Sequence, residues 1–181
     1  RTLARPTFRE FASYASYEFI NGQILLGNPN LKRTLVDNYD LRWEWFVRPG
    51  EIAAVSGFYK SFSNPIEKAN VGIYDDVAYV NVDKATLYGV EFELRSRLDR
   101  LGTSLANFRL GSNVTFIHSQ VNIAEDDLRR RRQFIPNASA TRPLQGQSPY
   151  IVNVDLSYDN TVSGTTVTAL SSMLLEWTRD P

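Results

Sequence analysis

The chain has 181 residues, and its 20 lysines and arginines balance 20 aspartates and glutamates, so the formal net charge is zero. This balance makes nucleic acid an unexpected partner, because polyanion binding relies on an excess of basic residues. The absence of cysteine and the presence of a single histidine, His118, exclude disulfide frameworks, thiolate zinc sites and most multi-histidine metal sites. We therefore expect neither a metal nor a cofactor.

Apolar residues form only short runs. The longest are the four-residue stretches 52–55 and 77–80, whereas a transmembrane helix needs about 20 consecutive apolar residues. The sequence opens on Arg1 rather than on an initiator methionine, and Met173 is its only methionine. We expect it to be a piece of a longer protein.

The first regular pattern along the chain covers residues 38–48 and has a period of two. Its odd positions, from Tyr39 to Val47, are all apolar or aromatic, and its even positions are polar except for Phe46. Such alternation predicts a β-strand with one apolar and one polar face. The next run, residues 52–62, has strand composition with noisier alternation.

Four further segments continue this pattern towards the end of the chain. The alternating segments are 90–95, 108–116 and 150–158, and residues 165–175 again have strand composition. Segments rich in glycine, proline and aspartate predict tight turns at 48–51, 99–102 and 159–164. Long polar connections occupy 5–35, 64–83 and 120–146. The sequence therefore predicts an all-β fold, an antiparallel meander of about six long strands with a plain end and an elaborated end.

The length of these strands distinguishes between two architectures. Strands of about 12 residues extend roughly 40 Å, and at a tilt of about 45° they would span close to 28 Å, near the apolar band of roughly 25 Å on an outer-membrane barrel. Soluble strands usually have about 5 to 6 residues. The charged face, with Arg42, Glu91 and Glu93, also suits a watery lumen better than a sandwich core. We therefore expect a segment of a transmembrane β-barrel.

Several ordered motifs resemble those of the C-terminal barrel region of TonB-dependent outer-membrane receptors. They are Ala4-Arg5-Pro6-Thr7-Phe8-Arg9-Glu10, Gly27-Asn28-Pro29-Asn30-Leu31-Lys32, Asn38-Tyr39-Asp40-Leu41-Arg42-Trp43-Glu44-Trp45, Ser56-Gly57-Phe58-Tyr59-Lys60, Asn64-Pro65-Ile66-Glu67, Tyr88-Gly89-Val90-Glu91-Phe92-Glu93 and Gly146-Gln147-Ser148-Pro149-Tyr150-Ile151-Val152-Asn153. Together they cover most of residues 1–158.

The resemblance implies a bacterial outer-membrane protein with a 22-stranded barrel and an N-terminal plug domain. It implies outer-membrane lipid as one partner and uptake of a small-molecule or glycan substrate, energised by the TonB system through the plug. Residues 1–181 would then be a partial barrel domain that lacks the plug and the remaining strands, and the segment after Met173 departs from the expected final strand with its terminal aromatic residue.

On this interpretation, five aromatic residues face lipid: those near the strand ends would form the interfacial girdle of the barrel, and those in mid-strand would lie in the hydrocarbon. They are Tyr39, Trp43, Trp45, Tyr150 and Tyr158. Five aromatic residues in the long connections are candidates for ligand binding, because aromatic rings stack on sugars and aromatic ligands. They are Tyr14, Tyr17, Phe19, Tyr74 and Tyr79.

Three other features suggest chemistry but have simpler interpretations. Glu91 and Glu93 share a strand face and could serve as the two carboxylates of a glycoside hydrolase, although a polar lumen row also explains them. The run 129–132, four arginines after an acidic triplet, could bind phosphate or be a self-compensating solvated loop. His118 has no second histidine or cysteine with which to form a metal site.

Three functions remain open on sequence grounds. The first is part of the wall of a transport receptor for a siderophore, cobalamin or glycan, with no enzymatic activity. The alternatives are a soluble all-β carbohydrate-binding module and a β-rich glycoside hydrolase that uses Glu91 and Glu93.

Overall fold

Strands dominate the fold in our computed structural model, which describes residues 1–18, 23–71 and 76–175. The strands of these ranges are β1 (Thr2–Ala4), β2 (Ala15–Glu18), β3 (Gln23–Leu26), β4 (Thr34–Arg48), β5 (Glu51–Ser63), β6 (Ile66–Asn70), β7 (Val77–Asn81), β8 (Lys84–Arg97), β9 (Phe108–Asn122), β10 (Thr141–Arg142), β11 (Tyr150–Asn160) and β12 (Thr165–Leu175). The helices are α1 (Phe8–Phe11) and α2 (Glu125–Phe134), with short 3₁₀ segments at Leu98–Leu101 and Thr103–Leu105.

The long strands form one sheet with the order β1-β4-β5-β8-β9-β11-β12, and β10 pairs with β9. The six long strands predicted from the sequence are confirmed as β4, β5, β8, β9, β11 and β12, and they follow one another in the sheet in chain order. This is the predicted meander.

Two of the three predicted tight turns are confirmed, at 48–51 and 159–164, whereas the one predicted at 99–102 is wrong, because a ten-residue connection with two short 3₁₀ segments joins β8 to β9. Two residues, Pro49 and Gly50, separate β4 from β5, and four residues separate β11 from β12. Gly50 and Gly164 have φ values of 81° and 67°, a left-handed conformation in which a side chain would be strained.

The long polar connections contain regular structure that the sequence patterns did not indicate. They contain α1, α2 and a second sheet of order β2-β3-β7-β6. Strands of four or five residues give too few alternating positions for a period-two pattern. This sheet also depends on a parallel pairing between β3 and β7, which lie about 50 residues apart in the chain.

The chain folds into two compact units, each made of three separate segments. Unit 1 comprises residues 1–38, 60–87 and 119–146, which include all of the second sheet, and unit 2 comprises residues 39–59, 88–118 and 147–181. Among residues 1–18, 23–71 and 76–175, no helix has the length and hydrophobicity needed to cross a membrane.

Unit 1 has a small apolar core. Val121 is fully buried and packs with Val82 and Ala85. Partly buried hydrophobic residues surround this cluster, among them Phe62 and Leu144. Burial of such side chains supplies the main stabilising free energy of a folded unit.

Unit 2 has no comparable core. Among the described residues, Ala54 is its only buried hydrophobic side chain, and every other one belongs to unit 1. Large side chains of β4 are instead exposed, with Leu41 at 79% and Trp43 at 63% of full exposure. A contiguous exposed surface of this kind marks an interaction with a partner or with lipid.

Candidate functional site

One face of unit 2 carries a network of charged side chains centred on Arg42. The guanidinium of Arg42 lies 2.6 Å from a Glu93 carboxylate oxygen and 2.5 Å from one of Glu44, and it donates a hydrogen bond to the Ser56 hydroxyl. Arg95 pairs with the second oxygen of Glu93 at 2.9 Å. These contacts link β4, β5 and β8 across one face of the sheet.

The polar face continues across the following strands. Asn113 of β9 donates a hydrogen bond to Glu91 of β8, and Ser172 of β12 donates one to Asn153 of β11. Asp155 of β11 lies over Gly111 of β9, its direct neighbour in the pairing, and a Cβ at position 111 would overlap the carboxylate. Arg109 and Asp159 form an ion pair at 3.2 Å near the turn between β11 and β12.

The opposite face of unit 2 is apolar, as the strand register shows. Val152 of β11 is paired with Val114 of β9 on one side and Met173 of β12 on the other, and Leu156 is paired with Leu110 and Ala169. Because side chains of paired positions share a face and alternate along each strand, the two faces of unit 2 differ in polarity, as the sequence predicts. The exceptions on the polar face are Ile151, Leu170 and Leu174.

Aromatic residues lie towards both ends of the strands on this apolar face. At the end that leads into the long connections, Tyr39 packs against Tyr59 with ring centroids 6.3 Å apart, and Phe116 packs edge-on against Phe92 and Tyr150. At the short-turn end, the Phe108 and Tyr158 rings lie 5.1 Å apart.

Aliphatic residues fill the middle of β11, where Val152, Val154 and Leu156 lie between Tyr150 and Tyr158. Eight residues of strand extend roughly 26 Å, and transmembrane barrels carry an apolar band of about 25 Å between two aromatic girdles. The apolar face thus has the polarity profile of a barrel exterior.

A second group of charged side chains lies at the short-turn end of the long strands, away from their middle parts. Arg48 pairs with Glu51 and with Asp99, each at 2.7 Å, and Arg100 lies 3.3 Å from Glu51. The hydrogen bond from Arg48 lowers the pKa of Glu51 to about 2 and also lowers the pKa of Asp99. Glu51 is only 3% exposed, so these partners replace its lost hydration.

Asparagines hold the start of β4 in unit 1. The Asn28 side-chain amide donates to the Tyr79 carbonyl oxygen at 3.0 Å, and the Asn81 amide donates to the carbonyl oxygens of Lys32 and Asn64. The Thr34 hydroxyl also donates to the Asn64 carbonyl oxygen. The Gly27–Lys32 and Asn64–Glu67 motifs therefore have a structural role here, which their side-chain-to-backbone bonds explain and which sequence spacing alone did not reveal.

The aromatic candidates for ligand binding that the structure describes, Tyr14, Tyr17 and Tyr79, belong to unit 1. Phe19 and Tyr74 lie outside the described residues. Tyr14 and Tyr17 are about half exposed, and Tyr17 is paired with Ile24 across β2 and β3. The register of the small sheet places Tyr17 and Tyr79 on opposite faces, so the structure brings them into one sheet without grouping them on one surface.

The four consecutive arginines lie in α2 and not in a loop as predicted. Arg129 and Arg131 pair with Asp126 and Asp127 of the same helix, and Arg130 and Arg132 donate to backbone carbonyl oxygens. The acidic first turn and basic last turn match the helix dipole. Sequence reasoning missed this helix because it lacks a periodic apolar stripe, although the order of its charges was a usable signal.

His118 of unit 2 lies against the Tyr88 ring, with ring centroids 5.1 Å apart. Within the described parts of the chain, no three His, Cys, Asp or Glu side chains are grouped so that they could hold a metal ion.

A comparison with protein families identifies the type of barrel. The family model described as TonB dependent receptor-like, beta-barrel matches residues 1–178. The chain belongs to this family. The resemblance inferred from the ordered motifs is thereby confirmed, and so is the prediction of a segment of a β-barrel. None of the curated protein sequences matches the chain.

Membership of the TonB-dependent receptor-like family fits the two faces of unit 2. The family consists of receptors and transporters of the bacterial outer membrane, and a barrel wall needs one apolar and one polar face. The motif Asn38–Trp45 supplies both faces on one strand: Arg42 lies in the charged network, and Trp43 is exposed on the apolar side.

Proposed function

We propose that this chain forms part of the wall of an outer-membrane receptor that actively takes up a scarce nutrient of the siderophore, cobalamin or glycan class. The observation that carries the proposal is that, among the described residues, the buried hydrophobic side chains lie in unit 1 except for Ala54, while unit 2 exposes an apolar face. A soluble protein would bury that face, and a membrane barrel turns it towards lipid.

The apolar face with Trp43 and Val154 is the lipid-facing side in this proposal. The polar face with Arg42, Glu93 and Asn113 is the lumen-facing side, where water and neighbouring parts of the receptor solvate the charges. In the parent protein, uptake draws energy from the TonB system through a plug domain, as is implied by the family. Residues 1–181 are then part of the barrel domain.

We propose no catalytic role for Glu91 and Glu93. Glu91 accepts a hydrogen bond from Asn113, and Glu93 is held between Arg42 and Arg95. Both carboxylates are thus committed to partners of the polar face, which favours a structural row over the acid and base pair of a glycoside hydrolase.

The ligand-contacting residues of this proposal are Tyr14, Tyr17, Phe19, Tyr74 and Tyr79. The partial exposure of Tyr14 and Tyr17 supports it, because a tyrosine combines a ring that can stack on a ligand with a polar hydroxyl group. β2 also lies at the edge of the small sheet, so its outer side is paired with no other strand of the described parts of the chain.

The test uses the intact receptor that contains this chain, produced in outer membranes. Binding of a ferric siderophore panel, cobalamin and an oligosaccharide panel is measured for the wild type and for the Tyr14→Ala, Tyr17→Ala double variant. We expect one class to bind, with affinity reduced about tenfold or more in the variant, and uptake to cease when the TonB system is deleted.

Tyr158→Ala is the matched control, since it removes a tyrosine ring from the apolar face and leaves the connections intact. It should bind the ligand like the wild type. Uptake that survives deletion of the TonB system, or a receptor that partitions into the aqueous phase without detergent, would contradict the proposed function.

A further inference from the structure

Four aromatic side chains of unit 1 are exposed within the short segment 8–17. These rings, which we call the aromatic row, are Phe8, Phe11, Tyr14 and Tyr17, with exposed fractions of 84%, 48%, 46% and 55%. Phe8 and Phe11 belong to α1, while Tyr14 precedes β2 and Tyr17 lies within it. Single exposed hydrophobic residues are common on protein surfaces, but a group of large ones marks an interaction site.

The backbone that carries the aromatic row is held at several points. The Thr7 amide donates to the Glu10 carboxylate at 2.7 Å, which is one half of a capping box. The Asn28 amide donates to the Glu10 carbonyl oxygen at 2.7 Å, and the Gly27 amide donates to the Tyr14 carbonyl oxygen at 3.2 Å. All residues of β2 pair with β3. The rings are therefore carried by a well-ordered backbone.

Gly27 allows α1 to lie this close to the end of β3. A Cβ at position 27 would overlap the Ala12 carbonyl oxygen and would lie 3.1 Å from that of Arg9. The φ angle of Gly27 is not in the left-handed region, so space rather than backbone conformation requires the glycine. Its missing side chain lets the backbone of the aromatic row pack directly against unit 1.

Exposed rings on a held backbone are suited to binding. Little conformational freedom is lost when such rings contact a ligand, and the contact removes apolar surface from water. Phe8 and Phe11 are three residues apart in one helical turn and are therefore neighbours on its surface. Next to Tyr17, Ile24 of β3 is its partner in the register and is 44% exposed, so the open surface extends to the second strand.

The form of this surface indicates an extended ligand. Compact small molecules are bound in concave pockets that bury most of their surface, whereas each ring of the aromatic row is about half exposed or more. A chain of sugar rings can contact one aromatic ring after another, because the C–H groups on a sugar face pack against the negative face of an aromatic ring. Arg9, between Phe8 and Phe11 in the chain, is also exposed and has guanidinium donors for sugar hydroxyl groups.

We infer that the aromatic row binds an oligosaccharide, which makes a glycan the substrate class of this receptor. The inference rests on the proposed function, since it selects one of the three nutrient classes named there and adds Phe8 and Phe11 to the ligand-contacting residues. The long connections of outer-membrane barrels lie on the extracellular side, where a glycan would first meet the receptor.

The test uses the intact receptor, purified in detergent and applied to an array of neutral and uronate-containing oligosaccharides. Calorimetry with an oligosaccharide that binds then measures the affinity. The Phe8→Ala, Phe11→Ala double variant should bind about tenfold more weakly or worse, while alanine preserves the helical turn. Phe134→Ala is the matched control, because it removes a ring that is 86% exposed in α2, and it should bind like the wild type.

A second pair of variants tests whether stacking on a ring is required. Phe8→Trp keeps an aromatic face and should retain the affinity, whereas Phe8→Leu keeps an apolar side chain without that face and should bind several-fold more weakly. Equal affinities of these two variants would overturn the stacking that the inference requires. Hydroxyl-radical footprinting should show that Phe8 and Tyr14 are oxidised in the unliganded receptor and protected when the oligosaccharide is added.

The outcomes separate this inference from the proposed function. An array without any bound oligosaccharide, or an affinity that the double alanine variant leaves unchanged, would overturn the inference, while TonB-dependent uptake of a siderophore or cobalamin would still support the proposed function. Rings already protected in the unliganded receptor would also overturn the inference, because another part of the receptor would cover them. Oligosaccharide binding without TonB-dependent uptake would support the aromatic row and contradict the proposed function.

Discussion

Units 1 and 2 use their hydrophobic residues in opposite ways. In unit 1, Val82, Ala85 and Val121 are buried against one another, and a buried carboxylate, Glu67, is paired with Arg142 at 2.8 Å. In unit 2, residues of equal hydrophobicity are exposed along one face of the long strands. Unit 1 is therefore stabilised by its own apolar core, whereas the exposed apolar surface of unit 2 needs an apolar medium around it.

This difference explains why overall composition is a poor guide to the class of the protein. A neutral chain with 43% hydrophobic residues is compatible with a soluble domain. The position of those residues on one face of strands of 11 to 15 residues is what identifies a membrane wall.

A charge on the apolar face of unit 2 should have the largest effect. Val154→Arg should destabilise the intact barrel by about 2 to 4 kcal/mol if the position lies near the bilayer midplane, because the guanidinium loses its hydration in hydrocarbon. Urea unfolding of the receptor in lipid vesicles measures the change. Asn153→Arg, one residue away on the polar face, is the control and should cost much less. A reversed order of the two variants would show that the faces are inverted.

A cavity in unit 1 should have the next largest effect. Val121→Ala should destabilise this unit by roughly 1 to 3 kcal/mol, since Val121 is fully buried. Hydrogen exchange of the amides around Val121 should accelerate, while amides in the unit 2 part of β9 keep their protection. Val162→Ala, at a position that is 96% exposed, should change nothing. Equal acceleration throughout β9 would show that the two units do not differ in their source of stability.

Acid should weaken the charged group at the short turns. The folded pKa of Glu51 is about 2 against an ordinary value of 4.5, so its contribution to stability is complete above about pH 4.5 and is lost as the pH falls towards 2. Glu51→Gln should therefore reduce the dependence of stability on pH within that window. An unchanged acid-unfolding profile in this variant would show that Glu51 does not cause the loss of stability in acid.

Removal of an exposed ion pair of α2 should have the smallest effect. Arg129→Ala removes the pair with Asp126, whose side chains are largely exposed, and should change the free energy of unfolding by at most about 0.5 kcal/mol. Thermal unfolding at low and high salt measures it. A larger loss in the free energy of unfolding that disappears in high salt would mean that the charged side chains of α2 act as a coupled network.

The sequence was most informative where side chains alternate regularly. Four of the long strands, β4, β8, β9 and β11, were predictable from alternating side chains, as in β4 from Tyr39 to Val47, whereas β5 and β12 were predicted from strand composition with noisier alternation. The two faces of unit 2 follow directly from the same pattern.

Unit 1 was less predictable because its structure depends on contacts distant in sequence. The Asn28 amide reaches the Tyr79 carbonyl oxygen, and Leu25 is paired with Val77; neither contact leaves a local periodic signal. The ligand candidates remain a prediction for the same reason, since chain order does not indicate that Tyr17 and Tyr79 would lie on opposite faces of one small sheet.

The fit of Asp155 over Gly111 limits how β11 can slide along β9. A slip of one residue would exchange the two faces and place Tyr150 and Val152 among the polar side chains. A slip of two residues would preserve the faces but place Asp155 opposite Arg109 or Asn113, whose side chains occupy the space that Gly111 leaves open. The alternation of side chains thus excludes a slip of one residue, and the missing side chain at Gly111 excludes a slip of two.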